Sequence, residues 1–185
     1  MRNKLIVLVI GIVVFFLASP AYAVNEAGAS AVLAQLPVQS DYPINTRMNV
    51  QRATIQAMLD KYHSPLAGSV DAFMRACQTY ELDCYLLPSI AGLESTFGQY
   101  IMPNSHNPFG WGGGLIMFDS WDTAIDTVAK SLRLHYINQG ATSVDTIAPI
   151  YSESPTWAPR VKNIMSQFNA EEAKNQLLFT RLQVQ

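Results

Sequence analysis

Apolar residues recur along most of the chain at helical rather than alternating spacing. Ile55, Met58, Leu59 and Tyr62 share one face of a first helix over residues 50–62. The run Ser64-Pro65-Leu66-Ala67-Gly68 interrupts it. Val70, Phe73, Met74, Cys77 and Tyr80 form a single stripe on a second helix, with Ser69 as its expected N-cap. Asp83 is placed to cap a third, whose broad apolar face comprises Leu86, Leu87, Ile90, Ala91 and Leu93. Pro88 lies close enough to its start for the missing N–H to be tolerated. The helix is expected to end near Phe97-Gly98, where glycine can take the left-handed conformation.

Residues 99–118 break the pattern. Pro103, Asn104, Asn107, Pro108, Gly110 and the consecutive Gly112, Gly113 and Gly114 predict a short β-hairpin or an irregular loop. Ser120 then opens a long helix with Trp121, Ile125, Val128, Leu132 and Tyr136 facing inward, ended by Gly140. Ser143 caps a short helix through Ile147, and residues 151–155 read as a loop. A last core helix over 156–168 buries Val161, Ile164, Met165 and Phe168, and beyond Ala170 the chain can continue as helix. The sum is a mainly α domain over residues 50–168, with one hairpin or loop insertion and a tail over 169–185.

Residues 24–49, rich in small and polar types, read as a linker or N-terminal arm. Ahead of them, Arg2 and Lys4 precede an unbroken apolar run over 5–17, and Ala21-Tyr22-Ala23 supplies an A-x-A cleavage site. The run is shorter than the ~20 residues of a membrane span. Residues 1–23 are therefore expected to be a signal peptide, with an uncleaved membrane anchor as the alternative. Export would place the protein in the periplasm, the cell wall or outside the cell.

Composition narrows the partners. The chain is 49% hydrophobic and 14% charged, which favours a packed core over disorder. Losing Arg2 and Lys4 would lower the 12 basic residues to 10 against 14 acidic ones, a net charge of −4. Without a basic surplus to neutralise phosphates, nucleic acid is not expected as a partner. Cys77 and Cys84 could form a disulfide or remain two small buried thiols. Their spacing and the scattered His63, His106 and His135 do not suit zinc, so no metal and no cofactor is expected. His135 falls on a helix side, whereas His106 lies beside the glycine-rich loop.

Among few charged residues, Glu94 stands out, at the end of the most apolar helix between Leu93 and Phe97. A carboxyl there would be partly withdrawn from water, which favours its protonated form. Cleavage of a glycosidic bond needs such a proton for the leaving oxygen. A solvent-facing helix-end glutamate is the plain alternative.

The words around Glu94 bear on that choice. Glu94-Ser95-Thr96-Phe97-Gly98 reads E-S-x-F-G, and Asn107-Pro108-Phe109-Gly110-Trp111-Gly112-Gly113 follows. These segments resemble the catalytic motif and the N-x-F-G loop of bacterial glucosaminidases and lytic transglycosylases, which have a lysozyme-like fold. Tyr62-His63-Ser64-Pro65-Leu66 and Leu86-Leu87-Pro88-Ser89-Ile90-Ala91 are similar to that group's lead-in helices. Tyr136 to Gly140, Ile147 to Tyr151, and Trp157 follow its order downstream, so the resemblance spans roughly residues 50–168. It implies a peptidoglycan glycan-strand cleaving enzyme acting as a monomer, with Glu94 as catalytic acid and Tyr151 as a second catalytic residue near the reacting sugar, where it would stabilise developing positive charge. It also implies substrate contacts from Ser95, Asn107, Phe109, Gly110, Trp111 and Trp157. Aromatic rings suit the apolar faces of sugars, and glycine lets backbone approach a ligand. A plug packed on the domain is the alternative for Trp111, and a plain buried tyrosine for Tyr151.

A two-carboxylate mechanism needs a second acid. Between Glu94 and Asp119 the chain has no Asp or Glu, and Asp119, Asp122 and Glu153 are weak candidates. Asp119 and Asp122 are better explained as charges favoured at a helix start. A single-acid route, by hydrolysis or by formation of a 1,6-anhydro product, is therefore expected. The rival reading is a catalytically idle glycan-binding or wall-assembly protein on the same scaffold.

Overall fold

The computed structural model describes residues 44–183, and the expected signal peptide and most of the arm lie outside the described residues. Six α-helices appear there, with no strands among the described residues: α1 (Ile44–Lys61), α2 (Val70–Thr79), α3 (Leu86–Ser95), α4 (Trp121–Ser131), α5 (Val144–Tyr151) and α6 (Trp157–Gln183). The protein is mainly α, as the periodicity predicts. Of the two alternatives for residues 99–118, the structure has the irregular loop. No described helix is long and apolar enough to cross a membrane.

The expected stripes are the buried ones. Ile55, Met58 and Leu59 of α1, Phe73 and Cys77 of α2, and Ile125 and Val128 of α4 are buried in one core. They meet Leu86, Leu87, Ile90 and Ala91 of α3 and Val161 and Phe168 of α6. α6 packs against α1, α3 and α5, while α2 packs against α4. Phe168 stacks on Tyr85 at 5.2 Å and meets Phe97 edge-on at 6.2 Å, joining the two ends of the α3 segment to α6.

Several boundaries differ from expectation. α1 begins at Ile44, inside the stretch read as linker, and Met48 there packs on the core. α6 runs on to Gln183, and the Asn175 amide donates to Thr54 of α1 at 3.0 Å. Ser69 makes no side-chain capping bond, because a 3-10 turn over Pro65–Ser69 runs directly into α2. Ser143 does cap α5, in a reciprocal box with Thr146, and that helix continues past Pro149 to Tyr151. The long fourth helix changes pitch: a π turn over Leu132–Tyr136 and a 3-10 turn over Ile137–Gln139 follow α4 before left-handed Gly140.

Asp83 does not cap α3 as expected: Tyr85 holds the N-cap position without a side-chain bond, and the Asp83 carboxylate accepts the Tyr85 N–H at 2.8 Å, bracing the turn that leads into the helix. Cys77 and Cys84 are joined in a disulfide that links α2 to the lead-in of α3. Both features fix the start of the helix that carries Glu94.

Candidate functional site

α3 stops at Ser95, earlier than the glycine suggested. Thr96 and Phe97 turn left-handed, with φ of 51° and 57°, before Gly98 at 83°. Such angles are uncommon outside glycine and need surrounding support. The support is visible. The Phe97 N–H donates to the Ala91 carbonyl at 3.0 Å, and the Phe97 carbonyl accepts the Ser64 hydroxyl at 2.6 Å. The Phe97 ring is buried 4.6 Å from Tyr62 and lies over Gly92, where an added Cβ would come within 2.7 Å of it.

Ser95 joins this turn to the loop opposite. Its buried hydroxyl donates toward the Pro108 carbonyl at 2.7 Å, with the Ala91 carbonyl at 3.0 Å, and accepts the Gly98 N–H at 2.8 Å. Asn107 folds the loop on itself. Its side-chain amide donates to the Trp111 and Ile116 carbonyls at 2.9 and 3.1 Å, and its oxygen accepts the Trp111 N–H at 3.0 Å. Sequence reasoning overlooked Ser105, which is fully buried and accepts the Asn107 N–H at 3.2 Å. His106 faces inward, Nδ1 lying 3.0 Å from the Phe118 carbonyl and its ring 5.0 Å from Trp121. That contact identifies it as a loop anchor.

Between the turn and the loop lies a cleft of about 430 Å³. Glu94, Ser95, Asn107 and Gly110 line it, together with Tyr100 and Met102. Glu94 is exposed there, contrary to the shelter expected from its apolar helix. It lies one turn beyond Ile90 and Ala91, which are fully buried. Their helical face continues past the core into the cleft, where Gly110 presents no side chain. Gly110, at φ 63°, places its backbone so that a Cβ would sit 3.3 Å from Glu94 Oε2.

The aromatic residues form a second layer. Trp111, Tyr136 and Tyr151 lie with ring centres 5.8 to 6.4 Å apart, and Tyr151 stacks on Trp157 at 4.8 Å. Trp157 is buried and its indole N–H donates to Glu94 Oε1 at 2.7 Å. Phe109 is fully buried, so its ring belongs to the core, while its carbonyl accepts the Tyr151 hydroxyl at 2.8 Å. Phe109 and Trp157 therefore offer no open ring face to a sugar, and Trp111 is only half-buried. Tyr151 does not line the cleft; it stacks on Trp157, the residue that donates to Glu94. Burial, then the charge of Glu94, then Tyr136, push its hydroxyl well above the ordinary tyrosine range. Tyr136, at the end of the π turn, joins this layer and was legible only as a core position.

The weak second-acid candidates stay outside. Asp122 pairs with Arg75 at 3.1 Å, Asp119 and Glu153 are exposed, and none of the three lines the cleft. No group of three potential metal ligands occurs among the described residues. Compared with known proteins, the chain matches no family model and no curated sequence.

Proposed function

We propose that this protein cleaves the glycan strands of peptidoglycan, using Glu94 as its one catalytic carboxyl. The observation that carries the reading is that Glu94 is the only carboxyl or cationic group among the residues lining the cleft. A partly apolar groove with no charged side chain besides one carboxyl suits a neutral sugar chain better than a phosphate or a nucleic acid.

In this reading a glycosidic oxygen lies beside Glu94 and takes its proton as the bond to the sugar carbon breaks. With no second carboxyl in the cleft, the substrate's own N-acetyl oxygen meets the charge that develops on that carbon. The conjugate base of Glu94 then removes a proton from water, giving hydrolysis, or from the sugar's 6-hydroxyl, giving the anhydro product. The Tyr151 hydroxyl is engaged by Phe109, so its part is to hold the site.

The test is the clearing of a suspension of purified cell walls. Wild-type protein is expected to clear it and Glu94→Gln to leave it turbid, with unchanged circular dichroism. A catalytically idle binder would instead sediment with the walls and clear nothing, with or without the substitution.

A further inference from the structure

The two oxygens of Glu94 are not equivalent. Oε1 accepts the Trp157 indole N–H at 2.7 Å, and an indole nitrogen can only donate. Oε1 must therefore present a lone pair to it. Oε2 is the oxygen that approaches Gly110, itself one of the residues lining the cleft.

The donor has little freedom. Trp157 is 2% exposed and stacked on Tyr151. The Tyr151 hydroxyl is tied to the Phe109 carbonyl, one residue before Gly110. The contacts close a ring around the carboxyl: Oε1 to Trp157, Trp157 to Tyr151, Tyr151 to Phe109, and Gly110 back to Oε2.

We infer that Trp157 is a positioning residue that reserves Oε1, so that Glu94 hands over its proton from Oε2, into the space beside the Gly110 loop. The inference rests on Glu94 being the acid. In the step, the Oε2–H bond breaks and its electron pair stays on the carboxylate. The proton bonds to the bridging oxygen, which keeps the pair from the broken bond to carbon. With the oxygen facing Trp157 held as an acceptor, the acidic proton is left on the oxygen facing Gly110.

Two variants remove the donor: Trp157→Phe, and the full-length protein carrying 3-benzothienylalanine at position 157, which keeps the bicyclic ring and replaces N–H by sulfur. Each is assayed on glycan strands and on a nitrophenyl glycoside of the same sugars, whose leaving group departs without a proton. On glycan, kcat is expected to fall about 10–100-fold, less than the ~10²–10⁴ attributed to the general acid itself because Glu94 remains, with KM unchanged. On the nitrophenyl glycoside the loss should be far smaller. Independently, the chain has three tryptophans, so the Trp157 indole N–H signal is readily assigned by nuclear magnetic resonance. It should move with the ionisation of Glu94 and lose that response in Glu94→Gln.

An equal loss on both substrates, undiminished turnover of the benzothienyl protein, or an indole signal indifferent to Glu94 overturns this inference alone. Equal wall clearing by wild type and Glu94→Gln overturns the reading of Glu94 as acid, and this inference with it.

Discussion

Gly110 and Glu94 approach so closely that a single added methyl group would stand 3.3 Å from the carboxyl oxygen facing the cleft. Glycine suits the position because it takes the left-handed angle of 63° without strain and brings no Cβ against the carboxyl.

Gly110→Ala should therefore affect activity more than folding. The left-handed angle costs an alanine about 1–2 kcal/mol, a modest loss in a melting experiment. Glycan turnover should fall much further, because the methyl group crowds Oε2 and the space for the substrate. A variant with reduced stability and wild-type turnover would contradict this account of the loop.

Gly92 tests the turn from the other side. An alanine there would place its Cβ 2.7 Å from the buried Phe97 ring, which is itself held between Tyr62 and Phe168. Overpacking of this kind costs about 1–3 kcal/mol. Urea denaturation of Gly92→Ala should show it, and truncating the ring as well in Gly92→Ala, Phe97→Leu should return part of the loss.

Ser95 couples the helix to the loop through buried hydrogen bonds to Pro108 and Gly98. Ser95→Ala leaves a buried carbonyl and a buried N–H short of a partner, at about 1–3 kcal/mol each before relaxation. Stability should fall measurably in urea, and proteolysis of the native protein should become faster within the loop over residues 99–118.

The helical framework was legible in the sequence because its stripes are long and two of its N-caps, Ser120 and Ser143, are local. Val70, Phe73, Met74 and Cys77 of α2, and Ile125 and Val128 of α4, are buried as their spacing predicts. The end of α3 was less so. Gly98 marks a left-handed stop, but burial of the Phe97 ring draws the reversal back to Thr96. Glu94 could be found as the one acid on an apolar face, yet its exposure could not, since that depends on a cleft left by a loop beginning several residues later. Its contact with Trp157 spans 63 residues and has no local pattern. Phe109, from its place in a motif, and Trp157, from its order in the resemblance, were expected to contact substrate; burial, a property of the whole fold, makes them supports instead.

Alkaline pH probes the tyrosines behind the site. Burial, followed by nearby Glu172, raises the Tyr85 hydroxyl, and burial likewise raises Tyr151. Each folded value lies above the unfolded one of about 10, so the folded state binds more protons above that pH. Stability from these groups is complete below pH ~10 and declines as pH rises beyond it. Melting temperatures should fall in that window, and Tyr85→Phe should flatten the decline.

The disulfide between Cys77 and Cys84 holds the start of α3. Closing so short a loop contributes about 2–3 kcal/mol in the chain-entropy view. Intact mass should rise by two hydrogens on reduction, and Cys77→Ala, Cys84→Ala should melt earlier while retaining some glycan cleavage.

The most direct measurement is mass spectrometry of the material released from purified peptidoglycan by wild type and by Glu94→Gln. The account predicts soluble disaccharide-containing fragments from wild type, with ends that are either reducing or lighter by one water, and none from the variant. Equal fragments from both proteins, or none from a well-folded wild type, would contradict it.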